Sequence, residues 1–187
     1  QVFAFDVRPV VKEQVESLGA KFIEVESNSE EGVGEGGYAK EVSEDYKQKQ
    51  SELINETIAK MDLVITTALI PERPAPKLID KKMTESMKSG SAIMDLASLN
   101  GGNCELTICD KIIIHNGVTI DGRSNLPGTM PGHSSQLYSK NLFNLFNHIY
   151  KNESIDFEDE IVNGSMLLNK GEINNSILQK FLDERNK

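Results

Sequence analysis

The sequence predicts an α/β fold: a largely parallel β-sheet with helices on both faces. Three observations predict it. Short β-prone runs, Val2–Phe5, Leu63–Thr67 and Ser91–Leu96, recur along the chain. They are apolar at neighbouring positions rather than at every second one, as strands buried on both faces require. Between them lie segments whose apolar residues repeat at three- and four-residue spacing, so strand and helix alternate.

Each element has its own reason. Val2–Phe5 is an apolar strand ending at Asp6. Pro9 suits the first turn of a helix, with Val11, Val15 and Leu18 on one face and Gly19 as its stop. Lys21–Val25 alternates and reads as a second strand. Glu24 to Gly37 is acidic and rich in glycine (Gly32, Gly34, Gly36, Gly37), so a mobile loop is expected there. A helix runs from Ser43 to about Met61, with Tyr46, Leu53, Ile54, Ile58 and Met61 apolar. The β-branched run Leu63–Thr67 is the next strand, and the prolines of Ala68–Pro76 make a rigid loop. A short helix covers Asp80–Ser89 and stops at Gly90, before the strand Ser91–Leu96. Asn100-Gly101-Gly102-Asn103 is a turn. Lys111–His115 and Val118–Asp121, around Asn116-Gly117, read as a strand or a hairpin. A helix then starts at Ser134 or Ser135 and carries Leu137, Leu142, Leu145, Phe146 and Ile149. Residues 151–164 are acidic and polar, Ser165–Ile173 reads as a hairpin around Asn169-Lys170-Gly171, and Ile177–Leu182 makes one apolar helical turn.

Composition narrows the function. At 187 residues the chain suits one domain, or a domain and a half. Its 20 Lys and Arg against 29 Asp and Glu give a net charge of −9, which argues against a nucleic-acid partner. The apolar runs are far shorter than the ~20 residues a membrane helix needs. Two cysteines, Cys104 and Cys109, make neither a disulfide framework nor a zinc site. His115, His133 and His148 are scattered without metal-ligand spacing, so no metal is expected. Ser134-Ser135 reads as a helix cap, not a nucleophile.

Parallel sheets put ligands at the carboxyl ends of their strands. The residues there are Asp6-Val7-Arg8, the glycine loop, Thr67-Ala68-Leu69, Ala97 and the Gly101 turn. Asp6 has the sharpest chemistry. An acid at the end of such a strand accepts hydrogen bonds from an adenosine ribose and repels a 2′-phosphate, favouring NAD over NADP. It equally fits an acid stabilised at the start of the following helix. Arg8 suits stacking on adenine or pairing with a carboxylate. A G-x-G-x-x-G fingerprint should precede the acid by ~20 residues. Only five residues precede Asp6, and Gly32–Gly37 follows it among glutamates, so that segment reads as a lid rather than a phosphate cradle.

Several segments in order carry a family resemblance. They are Phe5-Asp6-Val7-Arg8-Pro9, Glu35-Gly36-Gly37-Tyr38-Ala39-Lys40-Glu41, Thr66-Thr67-Ala68-Leu69-Ile70-Pro71, Asp95-Leu96-Ala97 with Asn100-Gly101-Gly102-Asn103-Cys104, and Gly132 to Leu142. Together they resemble the proton-translocating NAD(P) transhydrogenases, in the NAD(H)-binding domain I of the alpha subunit. The match is good over about residues 1–150 and weak beyond. It implies a Rossmann-like fold that is incomplete here, with the first strand and the glycine turn missing. Residues 1–133 would be a partial NAD-binding domain, and 134–187 a connecting helix and the C-terminal segment of another lobe. In a 3-2-1-4-5-6 sheet the first strand is central, so its absence leaves two strands with unpaired inner edges. A truncated or proteolytic piece is the expectation, with the gap filled by another chain.

The resemblance also implies a site. Asp6, Val7 and Arg8 would border the adenosine, while Gly37 and Tyr38 would belong to a loop that closes over the nucleotide. Gln50 matches a nucleotide-contacting position, although by itself it reads as a surface glutamine beside Lys47, Gln48 and Lys49. Leu69 would pack on the adenine, or is a plain core leucine. Asp95 and Asn103 share that edge without an assigned role. No catalytic side chain is expected, because the two nicotinamides carry the hydride chemistry. The cofactor implied is NADH, with NADP on a separate domain. Implied partners are that domain, a membrane domain and a second copy of the chain. The implied location is a soluble domain peripheral to a bacterial plasma or inner mitochondrial-type membrane, facing cytoplasm or matrix. Two other readings stand beside this one. Alanine dehydrogenase shares the fold and several motifs but lacks the long Glu-Gly-Gly-Tyr-Ala-Lys loop. An inert nucleotide-binding or assembly fragment is the non-enzyme reading, and the isolated 187 residues are expected to be inactive.

Overall fold

The computed structural model describes residues 1–8, 10–25, 44–70, 73–151 and 154–185. Its first strand is Phe3–Phe5 (β1), followed by the helix Val11–Ser17 (α1) and the strand Lys21–Ile23 (β2). The two strands are parallel, with Ala4 opposite Phe22. Gly19 takes φ +83° and donates its N–H to the Glu16 carbonyl at 2.9 Å, stopping the helix where a side chain would be strained. The acidic glycine loop, 26–43, lies outside the described residues, as does Pro9.

A second sheet holds the core. The helix Glu44–Ile58 (α2) leads into Leu63–Thr66 (β3), and Lys81–Ser86 (α3) precedes Ala92–Asp95 (β4). Ile112–His115 (β5) and Val118–Asp121 (β6) complete a four-stranded sheet of order β3-β4-β6-β5. β3, β4 and β6 are parallel, and β5 pairs antiparallel at the edge. Among the described residues β1 pairs with β2 alone and β3 with β4 alone.

Register sets the faces. Ile93 lies between Val64 and Ile120, and all three point to the side where Ile58 of α2 and Met83 of α3 pack. Ile79, Met87, Cys104 and Val118 complete this cluster. On the alternate positions, Leu63, Ile65, Ile112 and Ile114 are exposed. Asp80 caps α3 by accepting the Met83 N–H at 2.7 Å. The helix ends at Ser86, three residues before the expected end. Met87 turns extended (ψ 156°) and buries its side chain in the core, a tertiary gain that overrides local helical pattern.

The hairpin β5–β6 turns at Asn116 (φ +51°) and Gly117 (φ +79°), the mirror-image turn that matches strand twist. A Cβ on Gly117 would stand 2.3 Å from Ser89 Oγ. We expect Gly117→Ala to cost about 1–2 kcal/mol from the left-handed backbone alone. A denaturant midpoint unchanged from wild type would contradict this.

The structure divides into two compact units, Gln1–Leu126 and Pro127–Lys187. A short helix, Leu126–Thr129 (α4), lies at that division. In the second unit the long helix Pro131–Ile149 (α5) begins before the expected Ser134, because a proline suits the first turn. Tyr150–Lys151 (β7) pairs with Ser154–Ile155 (β8). Glu160–Ser165 (α6) falls where the sequence reads only as polar. Its signal is Asp159, whose carboxylate caps the Ile161 and Val162 N–H groups. Leu168–Asn169 (β9) and Glu172–Ile173 (β10) form the expected small hairpin, with Lys170 and Gly171 at positive φ. Ser176–Arg185 (α7) is longer than the single turn expected. No helix among the described residues is long and apolar enough to cross a membrane.

Candidate functional site

β1 delivers Asp6 just beyond its carboxyl end, and the chain folds back so that Arg8 grips it. The Arg8 backbone N–H and Nε both donate to Asp6 Oδ1 at 2.9 Å. The guanidinium closes the fork on Oδ2 at 2.9 Å. Burial pushes the Asp6 carboxyl up, but the hydrogen bonds and charge of Arg8 outweigh it and hold the group below its ordinary value. Asp6 is therefore ionised at neutral pH. Among the described residues three of its roughly four acceptor positions are used, two on Oδ1 and one on Oδ2. α1 starts at Val11 with no side-chain cap, and Asp6 pairs with Arg8, one of the two partners its sequence position allows for that arginine. Val7 between them is half-buried.

The carboxyl edge of the second sheet is held by buried polar side chains. Asn103 is wholly buried, and its carboxamide donates to the Ala68 and Pro76 carbonyls at 2.9 and 2.8 Å. Its oxygen accepts the Ala68 N–H at 3.0 Å. Asp95, the last residue of β4, accepts from the Ala97 N–H, the Cys104 N–H and the Thr107 hydroxyl at 3.1, 3.0 and 2.6 Å. Gly102 (φ +78°) is where this packing needs glycine, since a Cβ would lie 2.6 Å from Asp95 Oδ2. Lys77 Nζ donates to the Gly101 carbonyl at 2.6 Å across the same turn. Beyond this frame Leu69 stands 52% exposed, so it is not a core leucine.

Gln50 corrects the unaided sequence reading. It sits on α2 beside exposed Gln48 and Lys49, yet it is only 9% exposed. Burial of a glutamine depends on what covers the helix, which its neighbours in sequence do not reveal. Gly37 and Tyr38 lie outside the described residues. The sequence reading missed three hydroxyls that are buried without a hydrogen-bond partner among the described residues: Thr66 Oγ1 at the end of β3, Ser98 Oγ just after β4, and Ser91 Oγ just before it. For Thr66 and Ser98 the only signal was position, each being a small polar residue at or just past a strand's carboxyl end. Unpartnered buried hydroxyls are costly and call for a ligand, a water or a functional reason. The Asp-x-Arg fork recurs at the end of β6, where Arg123 pairs with Asp121 at 2.6 Å. There the Arg123 hydrogen bonds hold the Asp121 carboxyl below its ordinary value.

At these strand ends Asp6 offers an ionised carboxylate, Leu69 an exposed apolar surface, and Thr66 and Ser98 buried hydroxyls.

Residues 1–176 match the model of the alanine dehydrogenase/PNT C-terminal domain family. The NAD(P) transhydrogenase subunit alpha of Haemophilus influenzae is 47% identical over 176 residues, 91% of this chain and 34% of that protein. The crystal structure of transhydrogenase from Sinorhizobium meliloti superimposes with a TM-score of 0.67 at 43% identity, over 92% of this chain and 45% of that one. Alanine dehydrogenase 1 of Staphylococcus aureus is 40% identical over 84 residues, 43% of this chain and 23% of that protein. The chain thus spans less than half the length of these relatives.

Proposed function

The chain belongs to the alanine dehydrogenase/PNT C-terminal domain family, and on that premise we propose that it is the NAD(H)-binding part of a proton-translocating transhydrogenase. The observation that carries this reading is Asp6: an ionised carboxylate directly after a parallel strand, with one acceptor position unspent among the described residues. Asp6 would take the adenosine ribose hydroxyls, and Val7 and Arg8 would border them. Leu69 would cover the adenine, Gln50 would face the nucleotide from α2, and Gly37 and Tyr38 would close over it. NADH, when bound, supplies the hydride. The chain's own work is to bind, orient and exclude water, which needs no side-chain acid or base.

The acceptor would be NADP on a separate domain, and a membrane domain would couple the exchange to proton movement. The chain would act as a soluble, membrane-peripheral domain facing cytoplasm or matrix, in a homodimer. Residues 1–133 would serve the nucleotide and 134–187 would connect to a first lobe; the isolated chain would not turn over. The transhydrogenase relative aligns over 91% of the chain and the alanine dehydrogenase over 43%, which supports the first reading over the second. Alanine-dependent NAD reduction by the full-length protein would reverse that preference.

The test is Asp6→Ala in the full-length protein, followed by calorimetric titration. NADH affinity should fall by about 1–3 kcal/mol, roughly 5- to 150-fold. NADPH affinity should rise, because the carboxylate that repels a 2′-phosphate is gone. Unchanged affinity for both would remove Asp6 from the site.

A further inference from the structure

We propose that Asn103 is a positioning residue for the nucleotide site: its buried carboxamide fixes the backbone of Ala68, and through it the placement of Leu69. The inference rests on the nucleotide reading above.

The geometry is that of a strand partner made from a side chain. An amide group in the peptide plane can bond both the N–H and the C=O of one residue, as a neighbouring strand would. Asn103 does this to Ala68, giving through Nδ2 and accepting through Oδ1 at 2.9 and 3.0 Å. The second Nδ2 hydrogen goes to the Pro76 carbonyl at 2.8 Å. Both N–H groups and one oxygen lone pair are thus spent. The orientation is unambiguous, because a flipped amide would set its oxygen against two carbonyl oxygens.

Ala68 lies two residues past the end of β3, where the β3–β4 ladder has stopped at Thr66 and Asp95. Its main chain would otherwise be free to wander, and Leu69 with it. The backbone of Asn103 is itself pinned: its carbonyl accepts the Leu78 and Ile79 N–H groups at 2.8 and 3.1 Å. The next residue, Cys104, donates its N–H to Asp95 at 3.0 Å. The clamp therefore transmits the rigidity of β4 to the segment that carries Leu69. Leu69 spends nothing of its own on this, being 52% exposed. An apolar surface held in place before a ligand arrives binds better than one that must be ordered by it. This is a role for an asparagine in particular: aspartate lacks the two donors, and leucine of similar volume lacks all three bonds.

The experiment is a double-mutant cycle in the full-length protein, titrating NADH against wild type, Asn103→Ala, Leu69→Ala and the double variant. Each single change should weaken NADH about tenfold, the scale of one lost buried hydrogen bond or apolar contact. The double variant should be little worse than either single, since Asn103 acts through Leu69. Fully additive losses would overturn the positioning role, because a general loss of stability does not depend on Leu69. Should Asn103→Ala fail to fold, two readings remain. Asn103→Asp keeps the volume and must reproduce the loss. Hydrogen exchange on wild type must show the Ala68 amide protected like those of β4; free exchange at Ala68 would overturn the clamp. Failure of wild type to bind NADH would sink the nucleotide reading instead, a result separate from additivity.

Discussion

Truncating Ile93 to alanine is expected to remove about 2–5 kcal/mol of stability, the range for deleting a buried aliphatic side chain. Ile93 is 0% exposed and sits at the centre of β4, flanked in register by Val64 and Ile120. Helices α2 and α3 contribute Ile58 and Met83 to the same cluster. A cavity left there has strands on both sides, and parallel strands held by ladders on both edges collapse poorly into it. The loss should appear as a lower denaturant midpoint with an unchanged slope. A shift under about 1 kcal/mol would mean the cluster relaxes freely, and that this face of the sheet is not the core.

The second large effect is expected from Asp95→Ala. Its two oxygens satisfy three donors: the N–H groups of the buried Ala97 and Cys104, and the hydroxyl of the half-buried Thr107. A hydroxyl can rotate to another acceptor, but a backbone N–H cannot. Two orphaned N–H groups cost about 1–3 kcal/mol each, so a loss of about 2–6 kcal/mol is expected. Asp95→Asn separates the causes. The amide keeps the shape but offers only one acceptor oxygen, so it serves one side of the network and faces the other with a donor. Its loss should be smaller but not zero. Thermal unfolding of the three proteins side by side gives the comparison, and an Asp95→Ala protein as stable as wild type would show the network to be dispensable.

Asp95 and Asn103 also show where sequence reasoning stops. Both stand at a strand's carboxyl edge in the sequence, and neither could be given a role from position. What each does depends on chain far away: Asn103 on Ala68, 35 positions earlier, and Asp95 on Cys104 and Thr107. Asp6 was legible because its partner is two residues away and its strand is plain. Gln50 was misread because polar neighbours say nothing about what packs over a helix. Met87 ended α3 early for the same reason: the core it enters is built by β4 and β6. Asp159, a cap directly before Ile161-Val162, and Pro131, in the first turn of α5, are local signals that the sequence does carry.

As far as β6, the order of strands and helices, the Asn116-Gly117 turn and the acid after the first strand were determined by the sequence alone. Each follows from residues within one turn or one strand of each other, where sterics and periodicity act without help from the rest of the chain. The tertiary structure decided which polar side chains are buried, what they bond, and that Leu69 is presented on a fixed edge. Those outcomes come from removing water between segments distant in sequence, and a local pattern does not encode which segments will meet.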